Sequence, residues 1–287
     1  MQKNLRIALS ILGILTIICV VWITGFSSIS SAKVESPAAA KVSTSNDGGY
    51  RQIPNTAFAV GERLTFDLSY GFVHAGEAIM TIPDYKYVNG RKTYETQVLA
   101  NSYSSFDWIF KVRDRYATFM DVDGIFPWRF EQHVREGSYS HDYDAFFDPN
   151  TKTAETSDGN KYATEQYVHD IVSAFYYVRT LNLERLKKGD VIQLTNFYDG
   201  KTNPLPVKVL GHQRISVNAG TFDCVVIQPD VVKGGLFKSE GSITIWMTDD
   251  ANHMPVRMAT KILIGSIQAN LVRYQGERGA LTARVSD

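Results

Sequence analysis

The sequence predicts a mainly β fold of the α+β kind: a single curved antiparallel sheet, a barrel or half-barrel, with one amphipathic helix packed across it. Three observations predict it. Short runs of alternating apolar and polar residues recur at close spacing, as in Leu64, Phe66, Leu68 and Tyr70 between Thr65, Asp67 and Ser69. Tight-turn pairs such as Asn89-Gly90, Asp158-Gly159 and Asp199-Gly200 join those runs. A single long stretch after the N-terminus, His169 to Leu181, carries a helical period, with Ile171, Ala174, Phe175, Val178 and Leu181 three or four residues apart. Curvature is expected because wide flat sheets are unusual, and the helix must bury its apolar stripe against something.

The elements follow in order. Lys3 and Arg6 precede an apolar run from Ile7 to Thr24, and small residues stand at Ser30 and Ala32. Residues 1–32 therefore read either as a secretory signal cut after Ala32 or as an uncleaved membrane anchor with its basic end inside. Both place the folded part outside the cytoplasm, in the periplasm or cell envelope. Residues 33–54 are rich in Ser, Ala, Asn and Gly and read as a linker. Residues 55–287 read as a single β-rich domain, with no long linker inside them. Within it, Ser105 is expected to cap a short helical turn over Phe106 to Phe110. Trp128 to Val134 and Tyr139 to Phe147 read as paired strands. The helix has Asp170 at its start, with Lys187, Lys188 and the stop Gly189 at its end. Beyond it lie strands around Val191 to Tyr198, Leu205 to Leu210, Phe222 to Ile227, Ser242 to Met247, Met254 to Ile264 and Ser266 to Tyr274.

Charge and cysteine content narrow the function. The chain holds 30 basic and 30 acidic residues, and removing residues 1–32 leaves 28 against 30. That balance gives no basic face for nucleic acid. Cys19 follows Thr16-Ile17-Ile18, where a lipid-modified cysteine needs a small residue, so a lipoprotein signal is not indicated. Cys224 is then alone in the mature part and reads as a small core hydrophobe.

Catalytic templates are not matched: there is no Gly-x-Ser-x-Gly, no His-Glu-x-x-His, and neither phosphate-binding nor dinucleotide-binding glycine loop. Ser140-His141-Asp142-Tyr143-Asp144 is the nearest to a metal or hydrolytic site, and a solvated strand face explains it equally. Glu62, Asp114 and Asp144 lie in or beside apolar strands, and Arg179 lies on the helix at the edge of its buried stripe. These four form a candidate polar cluster, structural or ligand-binding; a bidentate Arg179–carboxylate pair docking the helix is the structural version. Asp249-Asp250 reads as a turn with local caps in preference to a calcium site. Aromatic residues including Phe66, Phe72, Tyr94, Trp108, Tyr116 and Phe197 are spread over many strands. Some are expected to line the inside of the curved sheet, where an apolar or lipid-like ligand would sit.

Gly61-Glu62-x-Leu64-x-Phe66, Ala75-Gly76-Glu77-Ala78, Tyr143-Asp144, Asp170 to Arg179, Gly220-Thr221-Phe222, Ile245 to Asp250 and Pro255-Val256 together resemble a family of exported bacterial proteins, the domain of unknown function 3108. The resemblance runs from about Phe58 to Tyr274 and implies an exported, single-domain β protein. It implies no activity, substrate, cofactor or catalytic residue. The expectation is thus a non-catalytic envelope protein binding an apolar small molecule or lipid inside its sheet, attached to the inner membrane through Ile7 to Thr24 in the case where residues 1–32 are not cut. The alternatives are an interaction module with a solid core and an envelope protein partner, and an enzyme using His141 with Asp142 or Asp144.

Overall fold

Two meanders, joined along one seam, make up the sheet. The structure, a computed structural model, describes residues 49–230, 243–261 and 266–285. In the first meander β1 (Arg63–Tyr70), β2 (Val73–Val88), β3 (Arg91–Ser102), β4 (Arg113–Asp121), β5 (Pro127–Glu136), β6 (Tyr139–Asp148), β7 (Thr153–Thr156) and β8 (Lys161–Ala163) each pair antiparallel with the next. In the second, β9 (Val191–Tyr198), β10 (Lys201–Val217), β11 (Gly220–Pro229), β12 (Ile243–Thr248), β13 (Pro255–Lys261) and β14 (Ser266–Gln275) do the same. The seam is β1 against β14, in register from Arg63↔Gln275 to Tyr70↔Ile267 with one irregularity between Thr65 and Phe66. A two-residue β15 (Arg284–Val285) adds to β11 at Thr221 and Phe222.

Local chemistry sets the tight hairpins. Asn89 and Gly90 have φ of 50° and 77°, and Asp199 and Gly200 have 49° and 71°. Positive φ at both central residues is what a two-residue turn needs to follow the right-handed strand twist.

The barrel or half-barrel expected from the alternation is not formed. Among the described residues the strand order runs from β8 at one edge to β9 at the other, and those edges share no pairing. The sheet is open, and is not rolled tightly enough for its edges to hydrogen-bond. The physical reason lies at the edges themselves. β8 has only three residues, and β9 is already occupied on its outer side by His169, which donates its N–H to Thr195 O (3.1 Å) and accepts from Phe197 N–H (2.8 Å). Short or covered edges stop a sheet from extending.

The helix, α1 (Ile171–Arg179), connects the two meanders, leaving from β8 and returning into β9. Asp170 caps it, accepting N–H bonds from Val172 (2.7 Å) and Ser173 (2.9 Å). It stops earlier than its period suggested. Thr180 turns its hydroxyl back onto Tyr177 O (2.7 Å), and the chain passes through a 3-10 turn at Leu183–Arg185. Gly189, at φ 100°, instead serves the turn into β9. Val172, Ser173, Ala174, Tyr176, Val178 and Arg179 are buried while Ile171 and Phe175 are only half-buried, so burial extends round more of the helix than one stripe. Cys224 is buried in the core, and burial pushes its thiol up to about 12.

Candidate functional site

A buried charged group survives only if its partners are built around it, and α1 carries one at its C-terminal end. Arg179 is fully buried and meets Glu62, just before β1, in two parallel bonds of 2.7 Å. Its remaining donors go to Asn252 O (3.3 and 3.2 Å) and Ala57 O (3.2 Å). The rings of Phe58 and Tyr176 lie 5.2 and 5.0 Å from the guanidinium carbon. Burial works against the charge and Glu62 more than offsets it, so the Arg179 pKa is held above its ordinary value. His253 closes this node, its Nδ1–H donating to Arg179 O at 2.8 Å. Burial lowers the His253 pKa, which keeps the ring neutral.

A second polar node sits at the other end of α1. His169, Asp170 and Ser173 are all buried there. Arg51 Nη2 donates to His169 Nε2 (3.3 Å), which leaves the Nδ1–H to face Ser173 Oγ (3.2 Å), whose own hydroxyl donates to Asp170 O (3.2 Å). The Asp170 carboxylate bonds Thr118 Oγ1 (2.7 Å) and the two capping N–H groups, not the histidine. Burial, followed by Arg51, holds His169 well below its ordinary pKa, and burial raises Asp170. Arg51 is pinned by Gly124 O and Ile125 O (2.8 Å each) and lies over Tyr167 and Tyr177.

Of the four residues predicted as a polar cluster, the structure brings Glu62 and Arg179 together. Asp114 lies on β4, where Oδ1 accepts the Arg135 N–H (2.8 Å) and Oδ2 has no hydrogen-bond partner among the described residues. Burial pushes its carboxyl up to about 7. Asp144 lies on β6 with Arg129 Nη2 at 3.6 Å. Asp142 is held by both Arg135 guanidinium nitrogens (2.8 and 3.0 Å) and His133 (2.8 Å), which depress it to about 2, while His141 stacks on Tyr139. His141 and Asp142 are thus engaged with different neighbours. Asp250 accepts from Thr248 Oγ1, Asn252 N–H and Ala283 N–H, a local cap. Among the described residues no group of three or more His, Cys, Asp or Glu side chains is placed to hold a metal ion.

The interior does not provide the ligand site expected from the aromatic content. Between α1 and the sheet lies an apolar gap of about 120 Å³, lined by side chains such as Leu68, Met80, Val98, Phe175, Val178 and Ile245. Ligand pockets run to roughly 300–1,000 Å³, and the open sheet encloses no barrel lumen. The expectation of an apolar or lipid-like partner inside the sheet is corrected accordingly. No helix among the described residues is long and apolar enough to cross a membrane; the expected anchor, Ile7 to Thr24, lies outside those residues.

Several expected core aromatics are outside. Phe72 is 92% exposed in the β1–β2 turn, and Trp108 is 82% exposed in the segment after β3. Alternation could not find them, because both fall where the strand rhythm breaks. Arg51 was also missed, since it lies in the segment read as linker. The nearest signals were Gly71 directly before Phe72 and the Ser104-Ser105 pair before Trp108.

No curated protein matches this chain. Among solved structures it is similar to a protein from Brucella abortus described as a beta-barrel-like protein of domain of unknown function DUF1849. That likeness has 13% identity and a TM-score of 0.50, over 76% of this chain and 98% of that one; at such identity it speaks of the fold alone. It is also similar, at 11% identity and a TM-score of 0.35, to the hypothetical protein CT021 from Chlamydia trachomatis, over 81% of this chain and 94% of that one. The family described as protein of unknown function DUF3108 matches residues 65–272, and the chain belongs to it.

Proposed function

We propose that this protein is a non-catalytic interaction module, exported from the cytoplasm, that acts through its surface. The observation that supports it most is the wiring at the start of α1. Serine, histidine and aspartate meet there, yet a hydrolase needs the histidine to take the serine proton and the carboxylate to steer the histidine. Here the histidine donates towards the serine, the serine donates to a backbone carbonyl, and the carboxylate caps the helix. All three are sealed from solvent, so this chemistry serves to hold α1 in place. Export is supported by the basic flank, apolar run and small residues that precede Lys33.

The test is site-directed photo-crosslinking in the producing cell, with the probe placed in turn at exposed positions over the whole surface. Discrete protein adducts at a subset of positions are expected, on a mature chain beginning at Lys33. Silence at every position, with Ser173→Ala or His169→Gln abolishing a cellular phenotype at unchanged stability, would overturn the reading.

A further inference from the structure

Each end of α1 is held by a histidine whose proton is placed by a partner of fixed role. At the start of the helix the Arg51 guanidinium can only donate. His169 Nε2 therefore accepts from it (3.3 Å), and the ring proton sits on Nδ1, facing Ser173 Oγ. At the far end Arg179 O can only accept, so His253 carries its proton on Nδ1 (2.8 Å) and Nε2 is bare. That Nε2 is buried and meets no hydrogen-bond partner among the described residues. Both rings are sealed, His169 at 3% and His253 at 4% exposure.

A second proton finds no acceptor at either ring. On His169 Nε2 it would point at Arg51, donor against donor and cation against cation. The adjacent carboxylate, Asp170, is turned onto Thr118 Oγ1 and the N–H groups of Val172 and Ser173. Burial raises its pKa, so acid neutralises it and leaves no counter-charge. Tyr177 and Ser173 are the other side chains at this ring, and both are neutral. At His253 the Arg179 guanidinium opposes a second proton, while Asp250 and Glu184 favour one. Asp250 is already committed to Thr248 Oγ1 and the N–H groups of Asn252 and Ala283. Glu184 is exposed, where solvent and salt screen it. Burial is the largest cause at both rings, and both are held below the ordinary histidine value.

The two rings act on α1 itself. His169 precedes the helix and pins it to β9 through its own N–H and carbonyl. His253 holds the carbonyl of the last helical residue, Arg179. Beneath the helix, the apolar gap of about 120 Å³ leaves part of its inner face with few contacts to lose on moving. The other four histidines stand on strands with exposed or half-buried side chains. We propose that α1 is an acid-released element: protonation of His169 and His253 frees both ends of the helix and uncovers the apolar sheet face of Leu68, Met80, Val98 and Ile245, while the strands stay paired. This goes beyond the surface-acting reading and does not depend on it.

The sign follows from the two neutral rings. Unfolded histidines take up protons below about pH 6.5, so what the rings contribute is fully present above that value and is lost as pH falls. Asp114 and Asp170 hold protons more tightly when folded and work in the opposite direction, and other carboxylates stay charged above about pH 5. The experiment is amide hydrogen exchange from about pH 7.5 to 5 on the chain recovered from the producing cell, with rates corrected for their intrinsic pH dependence. Protection of α1 should fall about tenfold or more over that range, and by at most about a hundredfold per pH unit with two protons involved. Strands β2 to β5 should keep theirs.

His169→Gln and His253→Asn supply amides that do not titrate, one offering Arg51 an acceptor and the other offering Arg179 O a donor. Each alone should make the response shallower, and the two together should abolish it. Nitrogen NMR of the histidine rings in the unsubstituted chain reads the same event without any substitution. It should show Nδ1–H tautomers for both rings at neutral pH, and a second proton arriving as α1 loses protection. Protection of α1 that ignores pH, or a loss shared equally by the strands, would overturn the proposal. So would an unchanged response in the double variant, or rings that stay neutral while the helix opens.

Discussion

Arg179 and Glu62 bury opposite charges in a place where either one alone is untenable. Removing one partner of such a pair costs about 3–5 kcal/mol, because the other is left charged and dry. Arg179→Met and Glu62→Gln should each lower the unfolding free energy, read from urea titrations, by that order. The Glu62→Leu/Arg179→Met double variant should lose much less than the sum of the corresponding single substitutions, and additivity would show that the two side chains do not act as a unit. Asp114 gives a pH-dependent counterpart. Its carboxyl is pushed up to about 7 by burial, against an ordinary value near 3.9, so the folded state holds the proton more tightly than the unfolded one. Its contribution is fully present below about pH 4 and is lost as pH rises through 7. Asp114→Asn should therefore match the parent near pH 4 and gain on it up to pH 8, by at most about 4 kcal/mol for a shift of roughly three units. Thermal melts across that range would check it, and a gain that does not change with pH would refute the burial account.

At the scale of the element, α1 depends on Asp170 more than an exposed helix depends on its cap. The side chain serves two helix N–H groups and the buried Thr118 hydroxyl together. Asp170→Ala should cost at least about 2 kcal/mol, a cap plus an orphaned hydroxyl. Asp170→Asn, which keeps an acceptor for the helix, should cost clearly less; equal losses in denaturant titrations would mean that the cap is not what matters. Much of this element was legible in the sequence, since the period from Ile171 to Val178, the aspartate before it and the arginine at its edge are all local patterns. Its early end was not, because Thr180 bonds backwards onto the helix while Gly189 serves a different turn. The hairpins at Asn89-Gly90 and Asp199-Gly200 were equally readable, each being two residues with a fixed backbone demand. Phe72 and Trp108 were not readable as exposed: alternation assigns a face only inside a strand, and both lie beyond one.

Across the whole molecule, strand alternation pointed to many short antiparallel strands, but closure depends on whether distant edges pair. That is decided by a three-residue β8 and a β9 already bonded to His169, facts of tertiary placement. The seam has a consequence of its own. Among the described residues every other pairing between long strands joins sequence neighbours, whereas the second partner of β1, beyond β2, is β14. The first half can zip hairpin by hairpin as the chain emerges, yet β1 keeps a bare edge until nearly the last residues of the domain exist. Long-range pairing of this kind is slow, since most of the chain must be looped before it is rewarded. Until then the nascent protein carries, at what will become the middle of its sheet, a ready template for another strand, so the interval between making β1 and making β14 is when this chain is most open to mispairing and most in need of a chaperone.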